Sequence, residues 1–190
     1  MMGAKRWVLV MGVAVGLLAV GGGAGFLAGR LSAPDSSPPI RPAWPGEKVQ
    51  HAAAARYGNM TLRPIGLTCG MHWVSGTHAE WEARGQYCRL GIVVNNVDTA
   101  FHDLDTGAQR LVDASGKSYA RSFDAMRIRR QPDVLTIGAH DAVALDIWFD
   151  VPNDARIVAA RLKGDDDPSG IDPVANTPRP PGGVQVPLSL

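Results

Sequence analysis

The chain has 190 residues, of which 45% are hydrophobic, so it can form a hydrophobic core and is not disordered throughout. Its formal net charge is +1, but residues 1–30 contain three basic residues and no acidic residue. The remaining residues carry 16 basic and 18 acidic side chains. This near-neutral balance gives no electrostatic footprint for nucleic acid, and we expect no nucleic-acid partner.

An uncharged, apolar run of 22 residues extends from Trp7 to Ala28. As an α-helix it would be roughly 33 Å long, enough to cross a bilayer core of about 30 Å. Lys5 and Arg6 precede the run and favour a cytoplasmic N-terminus, whereas Arg30 after the run weakly favours the opposite orientation. We therefore predict that residues 1–30 form a cytoplasmic tip and a single-pass signal anchor in the cell membrane. The alternative is a cleaved signal peptide and a secreted protein, because glycines weaken the run and small residues offer cleavage points.

Residues 31–57 form the predicted connection to the extracytoplasmic domain. Five prolines between Leu31 and Gly46 favour extended polyproline II, which is typical of a spacer. The following segment, Glu47–Tyr57, contains four consecutive alanines and precedes Gly58. Alanine has the highest helix propensity and glycine is a common helix stop, so this segment predicts a short helix.

From Met60 onward the pattern alternates between apolar and polar residues, which is typical of β-strands. Alternation and turn signals predict seven strands: Arg63–Cys69, Gln86–Asn96, Arg110–Asp113, Lys117–Arg121, Ala142–Val151, Ile157–Lys163 and Gly183–Leu190. In the fifth strand, Trp148 alternates with apolar neighbours and is predicted to face outward. Residues 126–135 allow no assignment. Seven short alternating strands predict an all-β, antiparallel sandwich over residues 58–190.

The two cysteines are Cys69 and Cys88. In an oxidising compartment an even number of cysteines indicates a disulfide. Two alternatives stay open at this point. The cysteines could be buried free thiols, or they could form a zinc site with His72 and His78.

Six short motifs occur in order: Cys69–Gly70, Gly85–Cys88, Val93–Val97, Gln109–Gly116 with Tyr119, Phe149–Pro152 and Gly182–Leu188. In this arrangement the chain resembles an immunoglobulin-like domain family of unknown function. The family occurs in exported, membrane- or lipid-anchored proteins of actinobacteria and other Gram-positive bacteria, and it is similar in fold to a secreted immunoprotective antigen. The resemblance implies an immunoglobulin-like β-sandwich, export and a Cys69–Cys88 bridge, and it brings no catalytic residue. The chain departs from the family pattern in two places. Ile137–Ala139 stands where the family has a Pro-Gly turn, and Asp165–Pro181 is an apparent insertion.

Two groups of residues are candidates for binding. Trp73, Trp81 and Trp148 form a predicted contact surface, because tryptophan is enriched at binding hot spots. The alternative is that the first two cover the core beside the cysteines. The second group is a predicted basic patch for an anionic polymer or lipid headgroups, formed by Arg121, Arg127, Arg129 and Arg130. Its alternative is an exposed strand or loop edge protected by charge.

Nothing in the sequence indicates catalysis. No serine lies in a nucleophile-elbow context, and the two histidines His102 and His140 have no partner at a motif spacing. We therefore expect no enzyme, no cofactor and no bound metal. The sequence favours a membrane-anchored binding module that contacts an envelope protein. The alternatives are a small-ligand or wall-glycan sensor and, last, a hydrolase.

Overall fold

The computed structural model describes residues 41–165 and 179–189. The predicted membrane anchor and most of the predicted insertion lie outside the described residues. Among the residues that the structure describes, no helix is long and apolar enough to cross a membrane. All of the described residues belong to one compact unit.

The described residues fold into short and long antiparallel strands with one short helix. The strands are β1 Lys48–Val49, β2 Ala55–Tyr57, β3 Met60–Ser75, β4 Glu80–Asn96, β5 His102–Asp105, β6 Arg110–Asp113, β7 Ser118–Ala120, β8 Val134–Ile137, β9 Ala142–Val151, β10 Ile157–Leu162 and β11 Val184–Pro187. The helix α1 spans Phe123–Ile128, and a 3₁₀ turn spans Thr106–Ala108.

The strands form two main antiparallel sheets, as predicted for a β-sandwich. The first has the order β1–β3–β4–β9, with β2 also paired to β3. The second has the order β11–β10–β6–β7, and β5 and β8 form a small third sheet. Apolar side chains of both main sheets form one buried cluster, to which β4 contributes Leu90, Ile92 and Val94 and β10 contributes Ala160 and Leu162. Burial of this apolar surface is the dominant favourable contribution to folding.

The predicted alternation in β4 and β9 is confirmed. In β4, Cys88, Leu90, Ile92 and Val94 are completely buried on the core face. In β9, Leu145, Ile147, Phe149 and Val151 are buried, and this strand pairs with β4 from Gln86↔Val151 to Asn95↔Ala142. The predicted hairpin of β6 and β7 is also present.

The helix predicted at Glu47–Tyr57 is wrong. β1 and β2 lie in this segment, and both pair with β3. The left-handed backbone of Gly58, with a φ of 56°, belongs to the tight turn that joins β2 to β3. The pairing energy available at the β3 edge outweighs the modest helix propensity of the alanines, which is worth only about 0.7 kcal/mol per residue between ordinary residues.

The two cysteines form a disulfide, and the free-thiol and zinc alternatives are wrong. The bridge joins the neighbouring strands β3 and β4 of the same sheet, with a Cα–Cα distance of 4.0 Å. Cys69 lies where the register between the strands is irregular, between Thr68 and Met71. Gly70 completes this irregularity with a φ of 85°, a backbone conformation that glycine adopts without steric cost.

The segment without a sequence assignment contains the end of α1 and the start of β8. Ser122 is the N-cap of α1, and its Oγ accepts a hydrogen bond from the backbone N–H of Ala125 at 3.3 Å. The helix buries Ala125 and Met126. It packs against β3, β4 and β9, and so it covers part of the outer face of the first sheet.

Candidate binding surface

The hairpin of β3 and β4 extends beyond the rest of the first sheet. β9 pairs with β4 no further than Gln86, whereas β3 and β4 continue as Trp73↔Glu82, Val74↔Trp81 and Ser75↔Glu80. The Gly76 N–H donates to the carbonyl of Ala79 at 2.8 Å and closes the turn. We call residues 73–82 the arm.

The two tryptophans of the arm lie on opposite faces, because directly paired residues share a face and successive residues alternate. Trp81 shares its face with Val74, which is buried, and this face is directed toward α1. A side chain at Gly76 would place its Cβ 2.5 Å from the carbonyl oxygen of Ile128, so the arm approaches α1 closely. Trp73 shares the other face with Glu82.

Both arm tryptophans are exposed to solvent. The exposed fraction is 56% for Trp73 and 52% for Trp81. Neither side chain therefore covers the core beside the disulfide, which was the alternative interpretation. Since large exposed aromatic side chains are enriched at contact surfaces, the arm is the candidate binding element of the described residues.

Trp81 separates two grooves that lie along α1. The first, of about 470 Å³, is lined by Trp81, Arg84, Gly85, Tyr87, Ala120, Arg121, Ser122, Asp124, Asp150, Val151 and Pro152. The second, of about 320 Å³, is lined by Gly76, Thr77, His78, Ala79, Trp81, Asp124, Arg127, Ile128 and Arg130. Trp81 and Asp124 belong to both. The surface thus combines a planar aromatic wall with guanidinium donors and carboxylate acceptors.

The predicted basic patch is divided between different sites. Arg121 forms an ion pair with Asp133. Arg129 donates to the carbonyl of Ser75 at 2.8 Å, and its guanidinium lies over the Trp148 ring at 5.7 Å. Arg127 and Arg130 alone of the four line the second groove. They belong to the end of α1 and the turn after it.

Trp148 is not part of an exposed surface, and that prediction is wrong. The side chain lies on the outer face of β9 as the alternation requires, but only 6% of the residue is exposed. The Tyr87 ring lies edge-on at 6.3 Å, and the Arg89 guanidinium lies over the Trp148 ring at 5.8 Å. Because α1 and its neighbours cover this face of the sheet, β9 is buried on both sides along part of its length.

The segment before β1 completes this cover. Trp44 lies over Arg89, with 5.0 Å between the guanidinium carbon and the ring centre. Arg41 holds the segment in place through two hydrogen bonds to Glu47, at 2.7 and 2.8 Å, and lies 3.6 Å from Asp146. Burial lowers the pKa of Arg89 and raises the pKa of Asp146. Residues 41–46, which the sequence assigned to a spacer, therefore pack on the domain.

A buried acid–base cluster was missed in the sequence. The two ring nitrogens of His102 contact carboxylates: Nε2 lies 2.9 Å from Asp98 Oδ2, and Nδ1 lies 3.0 Å from Asp165 Oδ2. Asn59 Nδ2 also donates to Asp98, at 2.9 Å. Burial lowers the pKa of His102, but the hydrogen bonds to both carboxylates outweigh burial and raise the pKa overall.

The histidine and one carboxylate of this cluster are buried, whereas Asp165 is partly exposed. The side chain of His102 is completely buried, and that of Asp98 is 2% exposed. Both ring nitrogens contact carboxylates, so His102, the first residue of β5, is linked to Asp165 in the segment after β10. The spacing of Asp98 and His102 was visible in the sequence, but Asn59 and Asp165 come from distant positions. Among residues 41–165 and 179–189, no group of three or more His, Cys, Asp and Glu side chains could hold a metal ion.

Comparison with known proteins shows similarity of fold only. The chain matches no protein-family profile and no curated protein. Among solved structures it is similar to the yjhA protein of Bacillus subtilis, with 9% identity and a TM-score of 0.50, covering 70% of this chain and 92% of that one. It also matches MPT63, a secreted protein of Mycobacterium tuberculosis, with 17% identity and a TM-score of 0.34, covering 67% and 92% of the two chains. The likeness to yjhA supports the β-sandwich.

Proposed function

We propose that this protein is a membrane-anchored, extracytoplasmic binding module that contacts another protein of the cell envelope through the arm. The observation that carries the proposal is the exposure of Trp73 and Trp81 on a hairpin that extends beyond its sheet. A buried core needs neither side chain at this position. Tryptophan at an exposed site supplies a large apolar contact area together with a hydrogen-bond donor.

The compartment belongs to the same proposal. A disulfide in the sheet supports an oxidising environment, since such bonds are rare in cytosolic proteins. The anchor at residues 1–30 and membership of the immunoglobulin-like family rest on the sequence patterns alone. If the N-terminal segment is cleaved, the module is secreted rather than anchored.

We assign no enzymatic activity. In the acid–base cluster, His102 and Asp98 are buried, and His102 is paired with both Asp98 and Asp165, which supports a structural role for the cluster. The two grooves beside Trp81 favour a second candidate function, the binding of a small ligand or wall glycan. An indole face next to Arg84, Asp124 and Asp150 offers a sugar ring both stacking and directional hydrogen bonds.

The test is in-cell crosslinking followed by capture of the full-length protein. The double variant Trp73→Ala/Trp81→Ala is compared with wild type and with Phe101→Ala. Phe101 is a matched control because it is also an aromatic residue, is 74% exposed and lies outside the arm. We expect a specific envelope protein to be captured by wild type and the control but not by the double variant. Equal capture by all three forms would contradict the proposal.

A further inference from the structure

The two faces of the arm differ in charge. The face that carries Trp73 also carries Ser75, Glu80 and Glu82, and all four residues are exposed. The Oγ of Ser75 donates to Glu80 at 3.1 Å. Within the described residues neither glutamate forms an ion pair. This face therefore presents one aromatic side chain and two negative charges that have no ion-pair partner among the described residues.

The surface on the other side of the arm has the opposite character. Phe123, the first residue of α1, is 54% exposed, and the Arg127 guanidinium lies over its ring at 5.4 Å. Arg130 lines the second groove with Arg127. In the part of the chain that the structure describes, neither arginine pairs with a carboxylate, although Asp124 lines the same groove. This surface therefore combines exposed aromatic rings with uncompensated positive charges.

The two surfaces complement each other but cannot meet within one molecule. They lie on opposite faces of the same two-stranded ribbon, and the register fixes this arrangement. An apolar side chain and two carboxylates on one copy match a groove and two guanidinium groups on another copy. At about 320 Å³ the second groove is at the small end of the range for ligand pockets, which suits a single large side chain.

We propose that a second copy of this chain is the partner, with the Trp73 face of one arm docked on the Trp81 and Arg127 surface of the next. This deepens the proposed function and rests on the arm being the contact element. Because the docked surfaces are different patches on opposite faces of the arm, the contact is heterologous, and it repeats head to tail as a ring or a filament instead of closing as a two-fold dimer. Exposed ion pairs contribute little each and are screened by salt, so the association is weak and sensitive to ionic strength.

The test uses the full-length protein in mild detergent and measures its mass by sedimentation over a range of concentrations. One variant makes both surfaces basic, Glu80→Arg/Glu82→Arg, and the other makes both acidic, Arg127→Glu/Arg130→Glu. We expect the mass of wild type to rise with concentration at low salt and to return to that of a single chain at about 1 M salt, where the Debye length is about 3 Å. Each variant alone stays a single chain, and an equimolar mixture of the two assembles again.

Controls separate the arm from other causes of association. Arg156→Glu reverses an exposed charge outside the arm and is expected to behave like wild type. Residues 1–40 are identical in all forms, so association through them would be insensitive to these charges. Near-ultraviolet circular dichroism of each variant confirms that it is folded.

Two results would overturn the inference. One is a wild-type mass that does not depend on concentration, and the other is a mixture of variants that fails to assemble. If wild type stays a single chain but the arm tryptophans are needed to capture a different envelope protein, the self-association is refuted and the proposed function stands. If the wild type assembles and no other protein is captured, the partner is this chain itself.

Discussion

The three tryptophans that the sequence grouped together are expected to differ sharply in their contribution to stability. Trp148 is 6% exposed and Trp73 is 56% exposed. A tryptophan side chain buries up to about 250 Å². The two residues differ by half in their exposed fraction, so Trp148 buries roughly 125 Å² more than Trp73. At about 25 cal/mol per Å², Trp148→Ala should lower the free energy of unfolding by about 3 kcal/mol more than Trp73→Ala.

The measurement is urea denaturation of both variants and of Trp81→Ala, followed by circular dichroism. Trp148→Ala also removes the cation–π contacts with Arg89 and Arg129, which adds to the loss. For a chain of this size a difference of about 3 kcal/mol corresponds to about 6–12 °C in Tm. Equal destabilisation by Trp148→Ala and Trp73→Ala would refute the assignment of Trp148 to a covered face and of Trp73 to a free one.

Three further predictions concern pH and the disulfide. His102 has a raised pKa in the folded protein, so its stabilisation is complete below its usual pKa of about 6.5 and is lost as the pH rises through the folded value. The Tm advantage of wild type over His102→Gln should therefore shrink above neutral pH, and two parallel Tm profiles would contradict this. Asp113 accepts hydrogen bonds from Ser115 Oγ and Tyr119 at 2.6 Å, which lower its pKa to about 2, so its stabilisation is present above about pH 3.8 and is lost as the pH falls toward 2. Thermal scans in acid should show wild type losing its advantage over Asp113→Asn in that range, and a constant difference would argue against it. The Cys69–Cys88 bridge spans a sequence separation of 19, and its loss in Cys69→Ala/Cys88→Ala should cost about 3 kcal/mol, or about 6–12 °C in Tm. An unchanged Tm in calorimetry would show that the bridge contributes nothing to stability.

The strands that the sequence identified best are those with a regular set of apolar side chains directed to the core. In β4 the alternation of Leu90, Ile92 and Val94 with outward residues determines both the strand and its orientation. The hairpin of β6 and β7 was recognisable from its turn residues, because Gly116 supplies the left-handed backbone with a φ of 86°. Local chemistry is sufficient in both cases.

Other elements depend on contacts that are distant in the sequence. β1 and β2 exist because β3 offers them an edge, and four alanines give no sign of that edge. Alternation placed Trp148 on the outer face, but it could not show that α1 and residues 41–47 cover that face. The cluster at His102 draws Asn59 and Asp165 from positions 43 residues before and 63 residues after it.

The way in which α1 meets β9 has a consequence for aggregation. The backbone N–H of Trp148 donates to the sulfur of Met126 at 3.4 Å, and its carbonyl accepts from Ser122 at 2.7 Å. Arg121 also forms an isolated antiparallel β-bridge with Phe149 of β9. The middle of an apolar edge strand is thereby prevented from pairing with a strand of another molecule. A chain in which this short helix has not yet docked exposes that edge, so docking of the helix is the folding step that protects β9 from edge-to-edge association.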